Sequence, residues 1–72
     1  MFAVRQFNSV DELQAVQRLA CSTDSEVFLH AMDDSIMVDA KSFINLFTLD
    51  FSQPVKVVTE DTRVIREVES WG

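Results

Sequence analysis

The sequence predicts an α+β fold in which three helices cover one face of a four-stranded, mainly antiparallel sheet. Segments with alternating apolar residues and segments with helical apolar spacing follow one another in the order strand, helix, strand, strand, helix, strand, helix. The 72-residue chain also has only one glycine and one proline, which argues against a flexible linker. We therefore expect a single domain over residues 1–72, built as an open-faced two-layer sandwich.

The first helix has the clearest start. An alternating strand runs from Phe2 to Phe7, and Ser9 and Glu12 then form an S-x-x-E capping box, in which each side chain would satisfy a backbone N–H of the first turn. Apolar residues recur at helical spacing after it, at Val10, Leu13, Val16, Leu19 and Ala20.

A hairpin is predicted next. Residues 26–31 alternate, residues 32–35 suit a turn, and Ile36 and Val38 resume the alternation. With Val27, Leu29, Ile36 and Val38 facing the helices, the alternation would place Phe28, His30 and Met37 on the open face of the sheet. Such a face is usually polar in a monomer, so a dimer through it is one alternative, and ordinary exposed apolar residues are the other.

The second half repeats the pattern with shorter elements. Ser42 is expected to be the N-cap of a short helix that runs through Leu49. A β-branched strand follows at residues 55–58, and a last helix covers residues 61–71.

Composition and charge narrow the classes of function. The net charge is −6, with twelve acidic residues against six Lys and Arg, whereas nucleic-acid binding relies on clustered basic residues. No apolar run approaches the roughly 20 residues of a membrane span, and the single Cys21 cannot form an internal disulfide. We expect a cytoplasmic protein that binds neither nucleic acid nor membrane and whose partners present basic protein surfaces.

The element order and the run from Val38 to Thr59 resemble the family of the histidine-containing phosphocarrier protein (HPr) of the sugar phosphotransferase system. The family has a Lys-Ser step at the start of its short second helix, matched here by Lys41-Ser42 and the apolar residues after it. The resemblance covers roughly residues 9 to 60 and implies the open-faced sandwich and a bacterial protein that functions through protein partners.

The residues that carry phosphate in the family are missing. HPr proteins present a histidine in the pattern Gly-Leu-His-Thr-Arg-Pro at the N-terminus of the first helix, where helix N–H groups and the arginine stabilise a phosphoryl anion. Here Ser9 falls at or near the histidine and Asp11 near the arginine, and the Asp11-Glu12 pair would repel a phosphohistidine. His30 lies in a predicted strand and does not replace it. We expect no histidine phosphoryl relay, no catalytic residues, no cofactor and no metal site.

Ser42 is the candidate regulatory residue. In some HPr relatives the serine of the Lys-Ser step is phosphorylated by a dedicated kinase, and the phosphorylated form binds a transcription regulator. A phosphate at a helix N-cap is electrostatically favourable. The alternative is that Ser42 serves only as an N-cap.

Phe43, Ile44 and Phe47 are the candidate partner-binding residues, because they match the positions that HPr proteins press against their partners. Exposed contiguous apolar surface usually marks an interface. The alternative is that this small domain uses most of these side chains for its own core.

The resulting hypothesis is an HPr-like regulatory or protein-binding module, with phosphorylation at Ser42 as its switch. The resemblance implies phosphotransferase-system enzymes, HPr kinase or a transcription regulator as partners of a monomer or weak homodimer. The alternatives are a phosphocarrier with an atypical acceptor and a small structural or dimerisation domain.

Overall fold

The computed structural model describes residues 1–71, apart from the side chain of Phe43. It has the predicted α+β fold and the predicted order of elements. The elements are β1 (Phe2–Arg5), α1 (Val10–Cys21), β2 (Val27–Ala31), β3 (Met37–Asp39), α2 (Phe43–Leu46), β4 (Val55–Thr59) and α3 (Thr62–Ser70).

The four strands form one antiparallel sheet in the order β1-β4-β2-β3. The register aligns residues in rows across all four strands, and alternate rows point to opposite faces. The row beneath the helices is Ala3, Val57, Leu29 and Val38. The rows on the opposite face are Phe2, Val58, Phe28 and Asp39, and then Val4, Lys56, His30 and Met37. The predicted placement of Phe28, His30 and Met37 on the open face is therefore confirmed.

The core lies between the sheet and the helices. Each helix contributes side chains that are almost completely buried: Leu13, Val16 and Ala20 from α1, Leu46 from α2, and Val64, Ile65 and Val68 from α3. The helical spacing of these residues explains why the chain forms amphipathic helices here. No helix within residues 1–71 is long and apolar enough to cross a membrane.

Arg5 connects the two ends of the chain. Its guanidinium donates to the backbone oxygens of Val68 and Trp71, lies 5.6 Å from the centre of the Trp71 ring, and lies 3.6 Å from the Glu12 carboxylate. Several contacts on one planar cation fix α3 against β1.

Several predicted boundaries differ from the structure, most of them by one residue, and the larger differences lie in β1, α2 and the start of β3. β1 ends at Arg5 rather than Phe7, and α2 is a single turn that ends at Leu46. Between Leu46 and Leu49 the backbone continues in turns closed by i→i−3 hydrogen bonds, so the apolar spacing persists without an α-helix. Ile36 precedes β3 and is 39% exposed instead of being buried in the core.

Candidate functional site

The outer side of α2 carries two exposed apolar side chains. Ile44 is 81% exposed and Phe47 is 57% exposed, whereas Leu46 and Leu49 are buried in the core. Residues three apart on a helical turn lie on one face, so 46 and 49 face the sheet and 44 and 47 face outward. We call the exposed side of Ile44 and Phe47 the α2 surface.

Both ends of the α2 segment are held in place. The carbonyl oxygen of Lys41, just before α2, lies 3.4 Å from Gln17 Nε2 and 3.9 Å from Cys21 Sγ in the last turns of α1. Beyond its other end, the carbonyl oxygen of Phe51 accepts a hydrogen bond of 2.6 Å from Gln6 Nε2. The Phe51 ring also packs edge-on against Phe7, with 5.9 Å between ring centres. The segment therefore runs antiparallel to α1 and presents its outer face in a fixed position.

Of the three predicted partner-binding residues, the structure places Ile44 and Phe47 together on the α2 surface. Phe43 begins α2, but its side chain lies outside the described part of the chain. Its predicted contact with a partner stays a prediction.

Ser42 occupies the N-cap position of α2, as predicted, with extended backbone angles of φ −101° and ψ 102°. Its side chain makes no capping hydrogen bond, and the residue is half-buried. The preceding turn is closed by Asp39, whose Oδ1 accepts from the backbone N–H of Lys41 at 2.9 Å. The hydroxyl is therefore not used to cap this single turn.

Ser9, for which the resemblance to HPr predicts a position at or near that family's histidine, is the N-cap of α1. Its hydroxyl oxygen accepts from the backbone N–H of Glu12 at 3.3 Å. The reciprocal half of the predicted capping box is replaced, since the Glu12 carboxylate pairs with Arg5 at 3.6 Å. With Asp11 also in the first turn, this helix end is anionic.

His30 belongs to a polar cluster on the open sheet face. His30 Nδ1 lies 3.3 Å and Lys56 Nζ lies 2.7 Å from the same oxygen, Oδ1 of Asp34. The hydrogen bond from Lys56, followed by that from His30, lowers the pKa of the Asp34 carboxyl. Asp34 adopts a left-handed conformation, with φ 61°, which aspartate tolerates better than most residues. The sheet separates this cluster from α1 and α2.

Sequence reasoning missed this cluster. The pairing of His30 with Lys56 depends on β2 lying next to β4, a contact between strands that are 26 residues apart at this pair. The sequence carries no local signal for such a contact. Within the part of the chain that the structure describes, no group of three or more His, Cys, Asp or Glu residues is arranged to hold a metal ion.

Comparison of the chain with protein-family models, with curated proteins and with solved structures found no significant match.

Proposed function

We propose that this protein is an HPr-like binding module that contacts a protein partner through the α2 surface and does not relay phosphate through a histidine. The supporting observation is the outward position of two large apolar side chains, Ile44 and Phe47, on the same face of the α2 segment. In α3, by comparison, the exposed positions are all polar: Thr62, Arg63, Arg66, Glu67, Glu69 and Ser70.

The α2 surface has the composition of a small interface. Ile44 and Phe47 supply the apolar centre, and the exposed Asn45 and Thr48 lie between and beside them along the chain. Apolar centres with polar rims are typical of protein–protein contacts. The net charge of −6 favours a partner whose own surface is basic.

Phosphorylation of Ser42 is the proposed switch of this surface. The resemblance to the Lys-Ser step supports it, as does a hydroxyl that makes no capping bond. A phosphate at residue 42 would add up to two negative charges beside Ile44 and near Asp39. The modified surface would then favour a partner with arginine side chains over one that buries only apolar groups.

Intact-mass spectrometry after two incubations tests the chemistry. One uses phosphoenolpyruvate with the first enzyme of the phosphotransferase system, and the other uses HPr kinase with ATP. We expect one phosphate only in the kinase reaction, lost in Ser42→Ala. Phosphate transfer from phosphoenolpyruvate would overturn the absence of a relay, and no phosphate in either reaction would remove the switch.

Binding is tested separately by titrating the labelled protein with the three partner classes that the resemblance implies. Ile44→Lys and Phe47→Lys should weaken binding at least tenfold, while Met37→Lys should leave it unchanged. Met37 is the matched control because it is apolar, 61% exposed and on the opposite face of the sheet. An equal loss of binding affinity in all three variants would contradict a role for the α2 surface.

A second candidate function is self-association through the open sheet face, favoured by the exposure of Phe2, Val4 and Met37. Four strands about 4.8 Å apart and four residues long outline a face of roughly 250 Å². Stable dimers bury about 800 Å² on each partner, so any dimer through this face alone would be weak. Sedimentation equilibrium of the protein and of Met37→Lys at millimolar concentration tests for this dimer. If both remain monomeric at every concentration, self-association through this face is ruled out.

A further inference from the structure

A surface cleft lies between the β2–β3 turn and the segment that connects α2 to β4. Its volume is about 360 Å³, within the range of roughly 300–1,000 Å³ that is typical of ligand sites. Most of its lining is apolar: Ala31, Met32, Ile36, Leu49, Pro54 and Val55. Ile36, which is not buried in the core, lines this cleft. Neither Ile44 nor Phe47 belongs to the lining, so the cleft is separate from the α2 surface.

The polar part of the lining is Ser35, Gln53 and two aspartates, Asp33 and Asp50. The two aspartates have the same local structure. Asp33 Oδ1 accepts from the backbone N–H of Ser35 at 3.0 Å and from its hydroxyl at 2.7 Å. Asp50 Oδ1 accepts from the backbone N–H of Ser52 at 3.0 Å and from its hydroxyl at 2.5 Å. Each Asp-x-Ser turn therefore fixes its carboxylate through one oxygen.

The second oxygen of each carboxylate remains available. Within residues 1–71, neither Oδ2 makes a hydrogen bond, and neither carboxylate forms an ion pair with a described cation. The serine hydroxyls are the main reason that the pKa of Asp33 and the pKa of Asp50 lie below the usual range. Both groups are therefore anionic at neutral pH, beside an apolar cleft in a protein of net charge −6.

We propose that this cleft binds an arginine side chain of a partner protein, together with an apolar neighbour of that arginine. The aliphatic stem of arginine packs on apolar surface while its head stays polar, which suits Met32 and Ile36 beside two carboxylates. The guanidinium presents several N–H donors in a plane and can donate to a carboxylate oxygen that has no other partner. A second copy of this chain is disfavoured, since two molecules of charge −6 repel each other.

The proposal is independent of the proposed function, because it concerns other residues and another test. The probe is the peptide acetyl-Ala-Arg-Leu-amide, with the citrulline peptide as its neutral isostere. Both are titrated into ¹⁵N-labelled protein at low salt, and the amide shifts of Ile36, Leu49 and Val55 are followed. The cleft variant is Asp33→Asn with Asp50→Asn, because an asparagine Oδ1 can still accept from the serine and keep the turn.

The matched control is Asp24→Asn with Glu69→Gln, which makes the same change in net charge at two exposed residues away from the cleft. We expect saturable shifts at the cleft with the arginine peptide, little response to citrulline, and roughly tenfold weaker binding in the cleft variant. The control should bind within about twofold of the unmodified protein.

Four results would overturn the proposal: equal binding of the citrulline peptide, equal weakening in both double variants, shifts that map to the α2 surface or the open sheet face, or no binding at millimolar peptide. Shifts that change with protein concentration alone would assign the cleft to a second copy of the chain and would also overturn it. Ile44 and Phe47 are unchanged in all these variants. A negative result for the cleft therefore does not affect the test of the α2 surface.

Discussion

Helices α2 and α3 both pack on the same sheet, but their outer faces differ. In α3, Val64, Ile65 and Val68 are buried, and Arg63, Arg66 and the other outward residues are polar, so folding alone accounts for its sequence. In α2, one turn buries Leu46 and exposes an isoleucine and a phenylalanine.

The two helix starts differ in the same way. The N-cap of α3 is Asp61, whose Oδ1 accepts from the backbone N–H of Arg63 at 2.9 Å and whose Oδ2 accepts from the Thr23 hydroxyl at 2.6 Å. The N-cap of α2 is Ser42, whose side chain makes no capping bond. The stability of the fold therefore accounts for the outer face and the N-cap of α3, but not for the exposed apolar face or the N-cap serine of α2.

Core truncation in α2 should have the largest effect. Leu46→Ala removes a fully buried side chain and should cost about 2–5 kcal/mol in the free energy of unfolding. Ile44→Ala, on the outer face of the same turn, should change it by less than about 0.5 kcal/mol. Urea unfolding followed by circular dichroism measures both, and a comparable loss in Ile44→Ala would show that Ile44 contributes to the core.

Loss of the α3 cap should have a smaller effect than Leu46→Ala. Asp61→Ala removes the acceptor of the hydrogen bonds from Thr23 and from the backbone and guanidinium of Arg63. The bond from Thr23 connects the start of α3 to the segment after α1. We expect a lower urea midpoint, with Thr23→Ala showing part of the same loss. An unchanged midpoint in Asp61→Ala would contradict the stabilising role of this cap.

Acid should weaken α3 through the same residue. The Thr23 hydroxyl, and then Arg63, lower the pKa of Asp61 from 3.8 to about 2. Because the folded pKa lies below the unfolded one, the contribution of Asp61 is complete above about pH 4 and is lost as the pH falls toward 2. The midpoint of thermal unfolding, measured from pH 2 to 6, should fall as the pH is lowered. The fall should be smaller in Asp61→Asn than in the control variant Asp24→Asn.

The smallest effect is expected at the start of α2. Ser42→Ala removes a hydroxyl that makes no capping bond, so the free energy of unfolding should change by less than about 0.5 kcal/mol. The same urea experiment checks it against Asp61→Ala. If Ser42→Ala lowered the free energy of unfolding as much as Asp61→Ala, Ser42 would have a purely structural role.

Much of the fold could be predicted from local patterns. Alternation and helical spacing gave the type and order of the elements, Ser9 was recognised as a cap, and the row that holds Phe28 and His30 was placed on the open face. Ile44 and Phe47 were recognised as surface candidates through the resemblance to HPr. The elements, the Ser9 cap and the alternation depend on neighbours within a few residues, which is the range over which propensity and periodicity act.

Other features depend on contacts between distant segments. The end of α2 at Leu46, the exit of Ile36 from the core and the Asp34 bridge between His30 and Lys56 follow from how loops and strands meet. By itself the sequence determined the type of the elements and their order. Only the tertiary structure decided which strands are neighbours and which two aspartates share a cleft, because side chains from distant segments are brought together by packing and strand pairing.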